Sequence, residues 1–441
     1  MENPPDRADI IIVGAGTAGC SVARILGKHG WHVLLLDKIP SKEKLGHDWW
    51  DSLYKNTFSE IKLENPEPPE KLPHYSSYFM SPDGKSRFLR HPEGKINIDR
   101  KLFAQRLLDA ISGVDIFFNT LVLGPFIEDD QVAGVRIHNE ENDFHIIEAP
   151  LVIDASGYSG IIRSNNDVPN RNFFPRYFSN TDTLLTYREI RAIVPTEWGK
   201  TQGYIWFGKN NGVAWKRYYN DKVDLLAGTI KLPNYTSPKD IINEMIMNSA
   251  DINDEILRGG YESIIPLRRC VDSFITDGLI LIGDSAAQIN PLDGSGLSAN
   301  LFAGNLAGKV ISREGTAKPI PKTYWKYNYL YKTKVGRKFV ALDILRKGVL
   351  SRENPENDLN LLMKQKIITN WDSISSLQFS TSEKIKLIFK MYKNLDLLSH
   401  FDKLSKLAKK GNNLYKNFPD EYEKNNFKLW QEEIDNIYSK I

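Results

Sequence analysis

Cysteine is nearly absent from this chain: only Cys20 and Cys270 occur in 441 residues. Two isolated thiols build neither a disulfide framework nor a thiolate zinc site, and they fit a reducing compartment. Charge of one sign is also lacking, since 58 basic against 55 acidic residues leave a net +3. No Lys/Arg tract interleaved with aromatics gathers in the first three hundred residues, which argues against a nucleic-acid partner. No apolar stretch approaches the ~18 uninterrupted residues of a membrane span, and the polar segment Met1 to Ala8 does not read as a signal peptide. These absences point to a cytoplasmic protein, with peripheral contact at the inner face of a membrane as an open alternative. A chain of this length folds as two or three domains with a large core.

What the chain does have begins near its start. The apolar run Ile10 to Val13 is followed by Gly14, Gly16 and Gly19 in G-x-G-x-x-G spacing, then by a helical stretch (Cys20 to Gly30) and a second apolar run ending at Asp37. This pattern predicts a strand, a tight turn and a helix whose bare N–H groups face a pyrophosphate. Asp37, eighteen residues after Gly19, suits the hydroxyls of an adenosine ribose and disfavours a 2′-phosphate. The cofactor is therefore FAD or NAD, and Lys38 is counted with Asp37 among the cofactor residues.

Two further stretches join this one. Leu151 to Ile153 is an apolar strand that ends in Asp154-Ala155-Ser156-Gly157, with Ser159 and Arg163 close behind. Gly278 to Gly283 is another, followed by Asp284, Pro291, Gly294, Gly296 and Leu297. An acid at a strand end can hold ribityl hydroxyls, and a helix opening at Gly294 to Gly296 aims its N–H dipoles at a flavin's O2/N1 edge. Gly294-x-Gly296-x-x-Ala299 also matches the dinucleotide spacing, but it lies eleven residues beyond Gly283 and so is no tight strand-to-helix turn.

Between the motifs, Lys38 to Pro73 reads as a loop crossing between domains. Tyr75 to Met80, Arg87 to Arg90 and Ile96 to Ile98 read as short strands parted by turns at Pro82-Asp-Gly84 and Pro92-Glu-Gly94. Asp99 to Ala110 has helical periodicity, and Asp115 to Val122, Gln131 to His138 and His145 to Ala149 read as a meander. From Arg171 to Pro266 the alternation predicts an antiparallel sheet. Beyond Pro321 the chain is helical in character, with amphipathic runs at Glu383 to Lys393 and Leu397 to Lys410. The expectation is an α/β chain (α+β overall) with three parts. A discontinuous Rossmann-type FAD-binding domain takes 1–60, 95–165 and 270–320; an antiparallel substrate domain takes 61–94 and 166–269; a helical domain takes 321–441.

The three motifs, in this order, resemble the FAD-dependent oxidoreductases of the p-hydroxybenzoate hydroxylase type, which include flavin halogenases and geranylgeranyl reductases. Within them Gly203-Tyr-Ile-Trp-Phe207 is similar to the Tyr-x-Trp motif of the archaeal-type geranylgeranyl reductases, as is the helical tail. The family's Tyr-x-Trp-x-Phe-Pro is incomplete here, with Gly208 and Lys209 as its last two residues, and the loop cysteine of many members is replaced by Gly46-His-Asp-Trp-Trp-Asp-Ser52. The resemblance implies reduction of the C=C bonds of isoprenoid chains by flavin hydride transfer plus protonation. It also implies a prenyl lipid or prenyl diphosphate substrate and, over the FAD, Arg100.

An unpolarised alkene needs an acid on the carbon opposite the hydride. His47, Asp48 and Asp51 are the candidate donors, and a carboxyl in an apolar pocket has its pKa raised into the useful range. Trp49, Trp50, Tyr204 and Trp206 can line a lipid tunnel and stabilise carbocation character. There is no second strand-linked G-x-G-x-x-G and no Cys-x-x-Cys, so electrons come from docked NAD(P)H or from a protein such as a ferredoxin. The Lys-rich face of 383 to 410 could rest on anionic headgroups. A monooxygenase or halogenase acting on a hydrophobic substrate is the rival reading, and a redox-inactive FAD-bound cyclase or lipid carrier is a third.

Overall fold

The structure, a computed structural model, describes residues 3–74, 76–90, 94–138, 144–194, 202–233, 235–316, 320–368 and 394–441. Its first sheet runs in the order Ile275–Thr276, Leu279–Leu281, Leu151–Asp154, Ile10–Val13, Val33–Leu36, Asp115–Phe117. All pairs are parallel except the short first one. The central strands are continuous apolar runs because helix Thr17–Leu26 and the meander strand Gln131–His138 both pack on the sheet, and Ile10, Ile11, Ile12, Leu34, Leu35 and Leu151 are fully buried. Helices Thr17–Leu26 and Leu297–Glu314 pack against each other beside it. Three chain segments far apart in sequence thus share one sheet.

The second sheet has seven strands, ordered Ile252–Pro266, Thr183–Ile193, Lys222–Ile230, Gly212–Tyr219, Gln202–Phe207, Ser76–Met80, Arg87–Arg90. Contrary to the purely antiparallel sheet expected, Gln202–Phe207 and Ser76–Met80 pair in parallel. They come from distant stretches of chain, so no hairpin fixes their direction. One face carries Tyr187, Tyr218 and Leu225 under helix Pro238–Met247; the other carries Phe79, Ile205, Val213 and Leu226.

Lys38 to Pro73 is more ordered than a linker. Trp50–Tyr54 pairs with Lys95–Asp99, Lys71–Leu72 joins the same small sheet, and Asn56–Glu60 is a helical turn. The meander exists, but its first strand is Leu121–Glu128; Asp115–Phe117 belongs to the parallel sheet instead. The break falls at Asn119, whose φ of 54° turns the chain out of one sheet and into the other.

C-terminal helices Pro321–Tyr331, Arg337–Leu350, Pro355–Lys364, Leu395–Lys416 and Lys424–Tyr438 close over one end. The fully buried Lys332 fastens them, donating to the Val271 carbonyl at 2.7 Å with its ammonium 5.1–5.3 Å from the rings of Tyr415, Phe418 and Trp430. The run Glu383 to Lys393 lies outside the described residues, as do Tyr75 and the Pro92-Glu93 half of one turn. Among the described residues no helix is long and apolar enough to cross a membrane. The mixed α/β architecture matches the fold class read from the sequence.

The sheet is locked to the Trp49–Trp50 segment through Arg188. Its guanidinium holds Asp224 by two bonds of 2.8 Å and donates to the Trp50 carbonyl, with side-chain exposures of 5% for Arg188 and 1% for Asp224. Arg188→Met strands a buried carboxylate, so urea unfolding should show a loss of about 3–5 kcal/mol. Arg188→Met with Asp224→Leu should recover most of that loss.

Candidate active site

At the first motif, Gly14 has φ +103°, and a Cβ there would stand 2.6 Å from the Ala155 carbonyl oxygen. A Cβ on Gly19 would be 1.9 Å from the Gly14 oxygen, so the strand end, the helix start and the second motif close on one another only through glycine. A Cβ on Gly16 would meet nothing, and helix Thr17–Leu26 opens there without a side-chain cap. Open space before uncapped amides is the cradle a pyrophosphate requires. Asp37 accepts from the Ala15 and Ile39 amides at 2.6 and 2.9 Å, so its carboxylate sits on the glycine turn. Lys38 points into solvent beside it.

The second motif is held by Asp154, which is fully buried. Gly157, beyond the nearly buried Ala155, has φ +76° and an open Cβ side. In the third motif Asp284 receives the Asn300 amide at 2.9 Å, while the Asn300 Oδ1 is a buried acceptor without a partner. Pro291 is buried, and Gly294, Gly296 and Leu297 bring the start of helix Leu297–Glu314 to the rim of a cavity. Gly283 lies beneath them in the turn after Leu279–Leu281. An uncapped pyrophosphate cradle, an acid on the glycine turn and an orphaned acceptor beside Asp284 fit a flavin dinucleotide.

The cavity, about 250 Å³, lies between these motifs and the inner face of the seven-stranded sheet. His47, Trp49, Asp51, Arg100, Asp284 and Asn300 line one side; Ile205, Phe207, Val213, Trp215 and Leu226 line the other. Arg100 ties its floor to the cradle, donating to Asp51 and to the Thr17 hydroxyl, each at 2.9 Å. Burial pushes Asp51 up, but Arg100 and Arg188 overcome this and hold its carboxyl below the usual range. Burial moves Asp284 the other way, to a raised pKa that Asn300 and Arg100 only partly offset.

Several sequence assignments change here. Tyr204 and Trp206 sit on the sheet's far face, packed with Tyr218 and helix Pro238–Met247, and do not line the cavity. Strand alternation decides this: Ile205 and Phe207 take the inner positions, with Trp215 opposite Ile205. Asp48 turns away from the cavity to pair with Arg258 at 2.8 Å. His47 does reach the mouth, stacked on Trp49 with ring centroids 4.4 Å apart. Its ring is exposed on one side, while burial by the surrounding groups and then Arg100 push its pKa down to about 3. Trp215, Asn300 and Arg188 carry no local motif and were not placed in the site from sequence, whereas Asp51, one of the expected donors, does line the cavity. Among the described residues no cluster of His, Cys, Asp or Glu is arranged to hold a metal.

No protein-family profile matches the chain. The fold is that of the flavin-dependent oxidoreductases: a geranylgeranyl bacteriochlorophyll reductase-like protein from Thermoplasma acidophilum aligns at TM-score 0.71 and 18% identity, over 90% of this chain and 99% of its own. A flavin-dependent brominase aligns at TM-score 0.61 and 15% identity, over 99% and 100%. In sequence the chain is similar from end to end to the digeranylgeranylglycerophospholipid reductases: 26% identical to that of Sulfolobus acidocaldarius over 99% of this chain and 98% of the relative, and 24% to one from Methanococcoides burtonii over 88% and 94%. The resemblance read from the three motifs is borne out.

The raised Asp284 pKa has a definite sign. The folded protein holds this proton more tightly than the unfolded chain, whose value is near 3.8, so the stabilisation is complete below that pH and is lost as pH rises through the raised value. Asp284→Asn cannot ionise. Its flavin-free form should unfold at higher urea than the parent at pH 7, with a smaller gain at pH 4, while fluorescence titration shows weaker FAD binding.

Proposed function

We propose that this chain is an FAD-dependent reductase that saturates C=C bonds in the isoprenoid, geranylgeranyl-type chains of lipids. The observation that carries the reading is the position of the cavity, which has the three cofactor motifs on one side and a wall of Ile205, Phe207, Val213, Trp215 and Leu226 on the other. FAD, when bound, supplies a hydride from its reduced ring. The chain's own groups bind, orient and exclude water. The amides after Gly16 take the pyrophosphate and Asp37 the adenosine ribose; Asp284 takes the ribityl hydroxyls, and the amide ends at Gly294 to Leu297 face the ring edge.

The apolar wall excludes water from the alkene, with the Trp49 and Trp215 rings as part of the lining. At the cavity, burial raises the pKa of Asp284, whereas Arg100 and Arg188 keep that of Asp51 low. The division of labour follows the sheets, with cofactor on the parallel sheet, substrate under the seven-stranded one and the C-terminal helices as a cap. Electrons arrive from NAD(P)H or a ferredoxin-type donor, and the lipid is drawn from the inner face of a membrane by a protein that is otherwise cytoplasmic.

The test is anaerobic. Chemically reduced holoprotein mixed with a digeranylgeranyl phospholipid should regain oxidised-flavin absorbance as the lipid gains two hydrogens per turnover by mass spectrometry. No recovery until O₂ is admitted, with an oxygenated or halogenated product, would replace the reductase by a monooxygenase or halogenase.

A further inference from the structure

We propose that Arg90, Lys95 and Arg217 form an anion subsite at one end of the cavity that takes the phosphoryl group of the lipid substrate. The proposal rests on reading the cavity as the lipid site.

Strand register brings the two arginines to one line. Arg90 lies opposite Ser77, Ser77 opposite Gly203, and Gly203 opposite Arg217, so the four residues form a single row across the sheet and share its inner face. The row is low in the middle. A Cβ at Gly203 would stand 2.4 Å from the Ser77 hydroxyl and 3.4 Å from the Arg217 Cγ, so only glycine lets the Arg217 side chain lie across it. The guanidinium of Arg217 stacks 3.8 Å from the Trp215 ring, and its Nε is buried without a hydrogen-bond partner among the described residues.

Lys95 enters from the small facing sheet. Burial lowers its pKa; Asp293 and Asp51 oppose the shift, whereas Arg90 and Arg217 add to it, and all three cations line the same cavity. Asp293 already accepts the amide and hydroxyl of Ser295 at 2.9 and 2.6 Å. Of the carboxylates around them, Asp51 is paired with Arg100, and Asp224, opposite Arg217 in register, is paired with Arg188. A phosphoryl oxyanion is the group that such a fork-and-ammonium set recognises.

The other end is apolar. Gly203, Ile205 and Phe207 follow one another on the inner face, so Phe207 stands about 13 Å along the strand from the cationic row. There Leu184, Phe207 and Val213 also line a second cavity of about 80 Å³, walled by Leu292, Leu345 and Leu359 beneath the C-terminal helices. A headgroup held on the arginine row directs the isoprenoid tail past the cofactor motifs into that space.

A phosphoryl group could instead belong to a nicotinamide dinucleotide, and the test separates the two. Affinities of geranylgeranyl phosphate, geranylgeraniol and NADPH for the oxidised holoprotein are measured by calorimetry, without turnover. The phosphate should bind about tenfold or more tighter than the alcohol, and Arg217→Gln and Lys95→Gln should each shrink that ratio toward one. Flavin content reports whether each variant folds; if Arg217→Gln loses flavin, Lys95→Gln decides. Equal binding of phosphate and alcohol, a ratio that survives the variants, or a loss confined to NADPH overturns the subsite. Because binding is read on oxidised protein, a lipid that binds but is not reduced refutes the reductase and leaves the subsite standing.

Discussion

One buried carboxylate, Asp154, gathers the cofactor wall. Its Oδ1 accepts the amide and hydroxyl of Ser156, and its Oδ2 the amides of Ile162 and Arg163, all within 3.2 Å. Its own carbonyl accepts the Ile282 amide and the Ser285 hydroxyl from the third motif, and the next residue, Ala155, donates to Val13 at the end of the first strand. Four charge-assisted bonds satisfy the carboxylate without a cation, so the site of the negative cofactor carries no bound counter-charge there. The three motifs are separated by more than a hundred residues and meet around this residue. Remove its carboxylate, and the turn through Ser156, Ile162 and Arg163 loses the four bonds that shape it.

What could be read from sequence follows from how local each signal is. The glycine turn, Asp37 and the strand before them are encoded within thirty residues, and strand, turn and helix form where that stretch puts them. The strand Gln202–Phe207 was legible too, but not its inner side, because Tyr204 and Trp206 are as apolar as Ile205 and Phe207. Alternation separates two faces without saying which meets the cofactor; helix Pro238–Met247, far along the chain, decides it. Asp48 was misjudged for a similar reason, since its direction depends on Arg258, placed by a tertiary contact that no spacing announces.

The cavity joins two requirements that conflict in a single environment. Cofactor binding asks for amide dipoles and carboxylates; an isoprenoid asks for a dry apolar wall. The fold meets both by setting a parallel sheet's strand ends against the inner face of a second sheet, with Arg100, Asp51, Arg188 and Asp224 as the polar seam between them. The seam is nearly neutral overall. That neutrality makes the arginine row at one end a directional feature of the site.

The most direct measurement is a crystal structure of the FAD-loaded protein with a saturated prenyl phospholipid bound. The account predicts chain density along Ile205, Phe207 and Val213, with its end toward Leu292 and Leu359. Lipid density against the Tyr204 and Trp206 face, with the cavity beside Asp284 and Gly294 left to solvent, would contradict it.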